Sequence, residues 1–170
     1  MPVINTLIFV VAFCIVALAI IYFLVRYYNK KNLVATEKFI SHSSEFKPDL
    51  LQNIKLRYWT TSGGRIMIWP NNNCDIYLFD NFFAIVRRQN FIFKVFFAPV
   101  LITSDIINTK NIFSYLTVYK PDRVFFNEVM KDQIDIKIKD PIYRHYKIDI
   151  TFKELTSEQL IQLVKLKDWC

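Results

Sequence analysis

The 170-residue chain has few residues of three types: two glycines, three cysteines and two histidines. The glycines are adjacent, at Gly63 and Gly64, so neither a G-x-G-x-x-G dinucleotide fingerprint nor a Walker A loop can be written. The cysteines, Cys14, Cys74 and Cys170, form an odd and scattered set, which indicates no disulfide framework. Nucleotide binding by either glycine-rich loop is therefore excluded.

Residues that carry catalysis or hold metals form no recognisable pattern. His42 and His145 have no carboxylate or cysteine partner at a spacing typical of catalytic or metal-binding motifs. A metal site needs three or four convergent ligands. Asp135, Asp149 and Glu154 fit solvated strand positions better than a general acid and base. We predict no catalytic residue, no metal site, no cofactor and no enzymatic activity; a constellation formed only by folding is the alternative.

Charge is also missing from the beginning of the chain, where Val3 to Val25 is an unbroken apolar run. As a helix of about 23 residues it would extend roughly 34 Å, against a hydrocarbon core of roughly 30 Å. The alternative is a cleaved secretory signal with its site at Ala17-Leu18-Ala19. A signal needs a positive beginning and a short apolar core, and this run has neither. The sequence therefore predicts an uncleaved transmembrane helix.

Basic and aromatic residues follow the run at once. Because Lys and Arg beside a span stay on the cytoplasmic side, we predict a single-pass protein of the cell membrane with its N-terminus outside. The tyrosines fit an interfacial aromatic belt. The predicted anchor interface consists of Arg26, Tyr27, Tyr28, Lys30 and Lys31.

The remainder of the chain has an uneven distribution of charge. Between Arg26 and Pro99 there are eleven Lys or Arg against five Asp or Glu, whereas Val100 to Cys170 has eleven against ten. The basic half is the one closest along the chain to the bilayer, whose anionic leaflet attracts nearby basic residues. We interpret most of these residues as serving solubility and membrane topology. We divide the chain into an anchor with its basic flank (1–31), a stalk (32–53) and one domain (54–170).

The domain has the period of two that is typical of strands, and one helix follows them. Ile134, Ile136 and Ile138 alternate with polar residues, as a half-buried antiparallel strand requires. Thr156 and Gln159 form a capping box, which predicts the start of a C-terminal amphipathic helix. The predicted strands are 54–60, 65–69, 74–79, 82–87, 91–97, 100–103, 112–119, 123–129, 134–138 and 146–152, with a turn at 70–73.

Antiparallel layers followed by one amphipathic helix resemble a pleckstrin-homology-like (PH-like) or GRAM-like domain, and the chain is similar in layout to membrane-tethered bacterial proteins that carry one. The matching segments are Gly64–Ile68, Asp75–Asn81, Phe82–Val86 and Tyr146–Trp169. This resemblance implies an antiparallel β-sandwich or barrel capped by the C-terminal helix, over about Ile54 to Cys170. The predicted fold class is mainly β with one N-terminal transmembrane helix.

PH domains that recognise phosphoinositides carry a K-x(n)-[K/R]-x-R pattern on their first two strands. This resemblance implies roles for Lys55, Arg57 and Arg65, but Met67 stands where the final Arg belongs, which argues against inositol phosphate recognition. Domains of this fold also bind proteins, and the fold alone does not choose between the two.

The segment from Phe91 to Ile102 is apolar on both alternating faces. We interpret it as a strand covered on both sides. The alternative is a hairpin that rests on the bilayer or on a partner subunit. The residues of that alternative are Arg87, Arg88, Lys94, Phe96 and Phe97.

The functional prediction is a non-enzymatic, membrane-anchored PH-like module that binds a protein partner, or a second copy of itself, at the cytoplasmic face. Binding of anionic lipid headgroups by the basic residues is the first alternative, and an unrecognised enzyme is the second. We expect no nucleic acid partner, because the many Phe residues occupy strand positions that a core requires and no RNA- or DNA-binding motif is present.

Overall fold

The structure is a computed structural model that describes residues 2–62, 65–88, 97–127, 129–139, 147–164 and 166. Within these ranges only the backbone is described for residues 2–7, 62, 65–72 and 88. The helices are α1 (Pro2–Ser43), α2 (Ile106–Ile112) and α3 (Ser157–Val164). The strands are β1 (Asp49–Ser62), β2 (Arg65–Leu78), β3 (Phe82–Arg88), β4 (Val100–Thr103), β5 (Thr117–Tyr119), β6 (Arg123–Phe126), β7 (Ile134–Lys139) and β8 (Lys147–Lys153).

Helix α1 contains the apolar run and continues well beyond it. In the described part of the chain it is the helix long and apolar enough to cross a membrane, and its most apolar window is entirely uncovered by the rest of the protein. After Ser43 comes a 3-10 turn, Ser44–Phe46, and Lys47 with a φ of 46° leads the chain into β1. The segment 32–53, interpreted above as a stalk, thus contains the end of α1, this turn and the start of β1.

The strands form one curled eight-stranded sheet in the order β5-β4-β3-β2-β1-β8-β7-β6. The prediction of a mainly β protein with one long apolar N-terminal helix and one short C-terminal helix is confirmed. Pairing departs from the all-antiparallel expectation at β4 and β5, which run parallel. The first and last strands of the domain, β1 and β8, are direct neighbours.

Two sequence predictions were wrong in detail. The turn predicted at 70–73 lies within β2, because Pro70 falls in a register shift between the Leu56–Asn72 and Tyr58–Trp69 pairs. Because the hydrogen-bond ladder between β1 and β2 is interrupted at this shift, the backbone N–H that proline lacks is not needed there. The strand predicted at 112–119 is limited to β5, because α2 occupies the chain up to Ile112. The strand predicted at 91–97 lies outside the described residues except for Phe97.

Hydrophobic residues pack on both sides of the sheet. The larger cluster fills the inner side of the curl with isoleucines from β7 and β8, and Leu163 of α3 and Leu166 belong to it. Helix α3 begins with the predicted capping box, since Gln159 Oε1 accepts from the Thr156 backbone N–H at 2.8 Å and Thr156 Oγ1 accepts from that of Gln159 at 3.3 Å. The smaller cluster lies on the outer side, over β3 and β4.

The smaller cluster includes the end of α1. Phe39 is 0% exposed. Its ring lies 5.4 Å from that of Tyr77, 6.4 Å from that of Phe79 and 5.5 Å from that of Phe113, measured between centroids. The pairs with Tyr77 and Phe79 are edge-to-face, an arrangement that stabilises beyond the area it buries. One unbroken helix therefore joins the apolar run to the core of the domain.

We predict that Phe39→Ala destabilises the domain by about 3–5 kcal/mol, since it removes a fully buried aromatic ring. Ile40→Ala is the matched control, because Ile40 is 43% exposed and points away from the cluster. The urea midpoint of the full-length protein in neutral detergent, followed by tryptophan fluorescence, measures both changes. Equal midpoints for the two variants would contradict the packing described here.

Candidate functional site

The outer side of the sheet has two unlike halves. Over β2, β3 and β4 it is covered by the smaller cluster, to which Phe39, Phe113 and Leu116 belong. Over β1, β8, β7 and β6 the described residues form no hydrophobic cluster on that side. We call this second half the open face.

The open face is built by strand alternation. Side chains such as Ile148, Ile150 and Ile136 point into the inner cluster, so their neighbours along each strand point outward. The outward positions are Lys55, Arg57, Trp59 and Thr61 on β1; Lys147, Asp149, Thr151 and Lys153 on β8; Asp135, Lys137 and Lys139 on β7; and Arg123 and Phe125 on β6. Basic side chains clearly outnumber acidic ones on this surface.

Pairing arranges these positions in rows across the strands. Arg57 is opposite Thr151, which is opposite Asp135, which is opposite Phe125. The next row consists of Trp59, Asp149, Lys137 and Arg123.

Two cations of the open face lie on aromatic rings. The Arg57 guanidinium carbon is 4.5 Å from the Trp59 ring centroid, and the Lys137 ammonium is 5.2 Å from that of Phe125. A cation held over a ring is fixed in position without being neutralised by a carboxylate. Both charges therefore remain available to a ligand.

Of the two acidic residues on the open face, Asp135 and Asp149, the first is engaged within the fold. Asp135 accepts hydrogen bonds from Thr151 Oγ1 at 2.6 Å and from Gln133 Nε2 at 3.1 Å. Two exposed ion pairs lie at the margins, Lys55 with Glu154 and Lys139 with Asp122. Exposed pairs of this kind contribute little stability.

The predicted site residues whose side chains are described lie on opposite sides of the sheet. Lys55 and Arg57 lie on the open face, whereas Arg87 lies on the inner side of the sheet, with its guanidinium carbon 4.6 Å from the Tyr58 ring centroid and 4.4 Å from that of Phe97. For Arg65 and Arg88 only the backbone is described, and Lys94 and Phe96 lie outside the described residues.

The predicted anchor-interface residues all lie in α1. Arg26, Tyr27, Tyr28, Lys30 and Lys31 are exposed there, directly after the apolar run. The rings of Tyr27 and Tyr28 make an edge contact with centroids 5.6 Å apart.

A separate polar cleft of about 340 Å³ opens where α2, the β2–β3 turn and the start of β1 meet. Asp49, Asp80 and Asp105 line it together with Lys47. Asp105 is engaged in the fold, since its side chain accepts from the backbone N–H of Asn108 at 3.2 Å and so caps α2. Among the residues that the structure describes, no group of three or more His, Cys, Asp or Glu is placed to hold a metal ion.

Cys74 is a fully buried residue of the inner cluster. Burial, reinforced by the charge of Asp75 and opposed by that of Arg87, raises the pKa of its thiol well above the ordinary 9.0. The thiolate is the nucleophilic form, so this side chain is a core residue rather than a reactive one.

We predict a pH effect from this thiol. A raised pKa in the folded state means that the unfolded chain loses the proton first, so the contribution of Cys74 is complete below about pH 9 and declines above it. The free energy of unfolding should fall by about 1 kcal/mol more between pH 9 and pH 10 in the wild type than in Cys74→Ala. Urea titrations at both pH values measure this, and Cys14→Ala should behave like the wild type. Parallel pH profiles for wild type and Cys74→Ala would refute the assignment.

Comparison with known proteins found no match to a family model, to a curated protein or to a solved structure.

The open face contains residues that the sequence analysis did not select, among them Trp59, Phe125 and Lys137. The alternation of apolar and polar residues predicted that the outer faces of β7 and β8 are polar. The missing information was that β1 pairs with β8, over a separation of nearly a hundred residues along the chain.

Proposed function

We propose that the protein is a single-pass membrane protein whose domain acts, without enzymatic activity, as a protein-interaction module at the cytoplasmic face. The observation that carries this proposal is the continuity of α1, which contains the apolar run and ends with Phe39 in the domain core. A domain joined in this way has a defined position relative to the bilayer. A fixed position suits a protein that presents a binding surface.

A PH-like fold is part of the proposal. A curled sheet of mainly antiparallel strands and a final helix whose Leu160 and Leu163 pack on its inner side support it. The parallel pair of β4 and β5 departs from that plan. Because function resides in surfaces more than in the fold, the interaction role does not depend on this assignment.

We predict that the anchor is uncleaved and that the domain faces the cytoplasm. An N-terminal epitope tag should remain on the mature protein and be accessible in intact cells. In a Cys14→Ala/Cys170→Ala background, the exposed substitution Ser104→Cys should react with a membrane-impermeant maleimide only after permeabilisation. Loss of about the first twenty residues, or labelling of Ser104→Cys in intact cells, would contradict the anchor or its orientation.

We also predict a specific protein partner. Affinity capture of the full-length protein after crosslinking in its native membrane should recover one protein in near-stoichiometric amount. The matched control is a chain that ends after residue 48, which keeps α1 and lacks the sheet. A partner recovered equally by both chains would place the interaction on the membrane helix, and recovery of none by the full-length protein would contradict the proposed role.

A further inference from the structure

The open face carries positive charge that the described structure does not neutralise. Within the described part of the chain, Arg57, Lys137, Lys147 and Lys153 form no ion pair with a carboxylate. Asp135, which lies among them, is held by Thr151 and Gln133. The surface therefore has a net positive field with few acceptors of its own.

The central cations are also held in place before any ligand arrives. Arg57 lies on Trp59 and Lys137 lies over Phe125. An arginine stacked on an aromatic ring keeps the N–H groups in its own plane free to donate to a carboxylate. Fixing these side chains in advance reduces the entropy lost when they bind.

The spacing of these side chains matches that of a polypeptide ligand. Outward residues two apart on one strand, such as Arg57 and Lys55, are separated by about 6.6–6.8 Å, and adjacent strands by about 4.8 Å. Carboxylates on alternate residues of an extended segment, or four residues apart on a helix, repeat at similar distances. A grid of cations at these spacings therefore suits a chain with repeated acidic side chains.

We infer that the open face is the docking surface for an acidic protein segment, one rich in Asp and Glu. This inference rests on the proposed function and names the chemistry of its partner. A second copy of this chain is a poorer occupant, because each copy carries a net charge of +7 and like charges repel. The open face lies on the same side of the sheet as the end of α1, and a bilayer is the alternative occupant that the vesicle measurement tests.

The first test uses purified full-length protein in neutral detergent and a fluorescent polyglutamate peptide as the probe, with anisotropy as the readout. The triple variant Arg57→Gln/Lys137→Gln/Lys153→Gln should weaken binding by about tenfold or more. The control Lys47→Gln/Lys110→Gln/Lys120→Gln removes the same charge from exposed positions outside the open face and should change binding by less than about twofold. Urea midpoints equal to that of the wild type establish that the variants are folded.

A milder variant keeps the test decisive if the triple variant is unstable. Lys137→Gln/Lys153→Gln leaves the Arg57–Trp59 pair intact and should still weaken peptide binding by about threefold or more. Equal losses in the open-face and control variants would overturn the inference, because they would show attraction by overall charge. No binding of the peptide by the wild type would overturn it as well.

Lipid vesicles test whether the open face binds anionic lipid headgroups instead of protein carboxylates. Full-length protein in neutral nanodiscs is mixed with phosphatidylserine vesicles or with phosphatidylcholine vesicles. If the open-face variant loses vesicle binding but keeps peptide binding, the surface recognises lipid headgroups and the inference is wrong. Loss of peptide binding with unchanged vesicle binding supports it.

The inference and the proposed function fail in different ways. Capture of the same partner by wild type and by the open-face triple variant in native membranes would refute the docking surface and leave the interaction role intact. Failure of the wild type to capture any partner would contradict the interaction role, while the peptide measurements would still report on the surface. Capture that is lost in the open-face variant and kept in the charge-matched control supports both.

Discussion

The packing of Phe39 against the outer side of the sheet is the contact on which the arrangement of the whole molecule depends. Phe39 lies near the end of a 42-residue helix that begins in the apolar run and ends at the domain. Ala35, Lys38 and His42 add contacts at the margin of the same cluster, but Phe39 is the one residue among the described side chains of α1 that is fully buried in it. Through Phe39, the ring cluster of Tyr77, Phe79 and Phe113 fixes where the helix leaves the domain. Every surface of the sheet is therefore defined relative to the helix.

The covered and open halves of the sheet follow from the side-chain patterns of their strands. Strand β4 is buried at each of its positions, and the central residues of β3 are apolar on both faces, so these strands need cover on both sides. Strand β7 alternates buried isoleucines with Asp and Lys, so water can solvate its outer face. Helix α1 consequently packs where the sheet is apolar outside, and within the described residues no hydrophobic cluster covers the charged half.

Local patterns predicted the parts of the fold that depend on local physics. The capping box at Thr156 and the alternation of Ile134, Ile136 and Ile138 were both readable from the sequence. The proline in β2 was misread because a register shift, a property of the pair and not of the strand, makes it tolerable. Helix α2 was missed because it has only seven residues, too few to show a helical period in the sequence.

The candidate surface was harder to predict than the fold, and Arg87 shows why. On β3, Phe82, Ala84 and Val86 face one side and Phe83 and Ile85 the other, so hydrophobicity does not reveal which side an arginine at the end of the strand will take. The register with β2 places Arg87 opposite the buried Cys74 and hence on the inner side. Lys55 and Arg57 reach the outer side for the same kind of reason, since Ile54 and Leu56 are core residues.

Anchoring changes how much affinity the open face needs. Individual contacts between exposed charges contribute at most about 1 kcal/mol, so a lysine-rich surface is a weak site for a partner free in solution. Under the proposed anchoring, a partner held at the same membrane meets this surface at a much higher effective concentration, and modest contacts are then sufficient. Because screening weakens these contacts as salt rises, such a surface exchanges partners readily. The exposed cations of β1, β7 and β8 and the buried ring of Phe39 thus have complementary roles: the ring positions the domain, and the positioned domain allows a weak electrostatic surface to be selective.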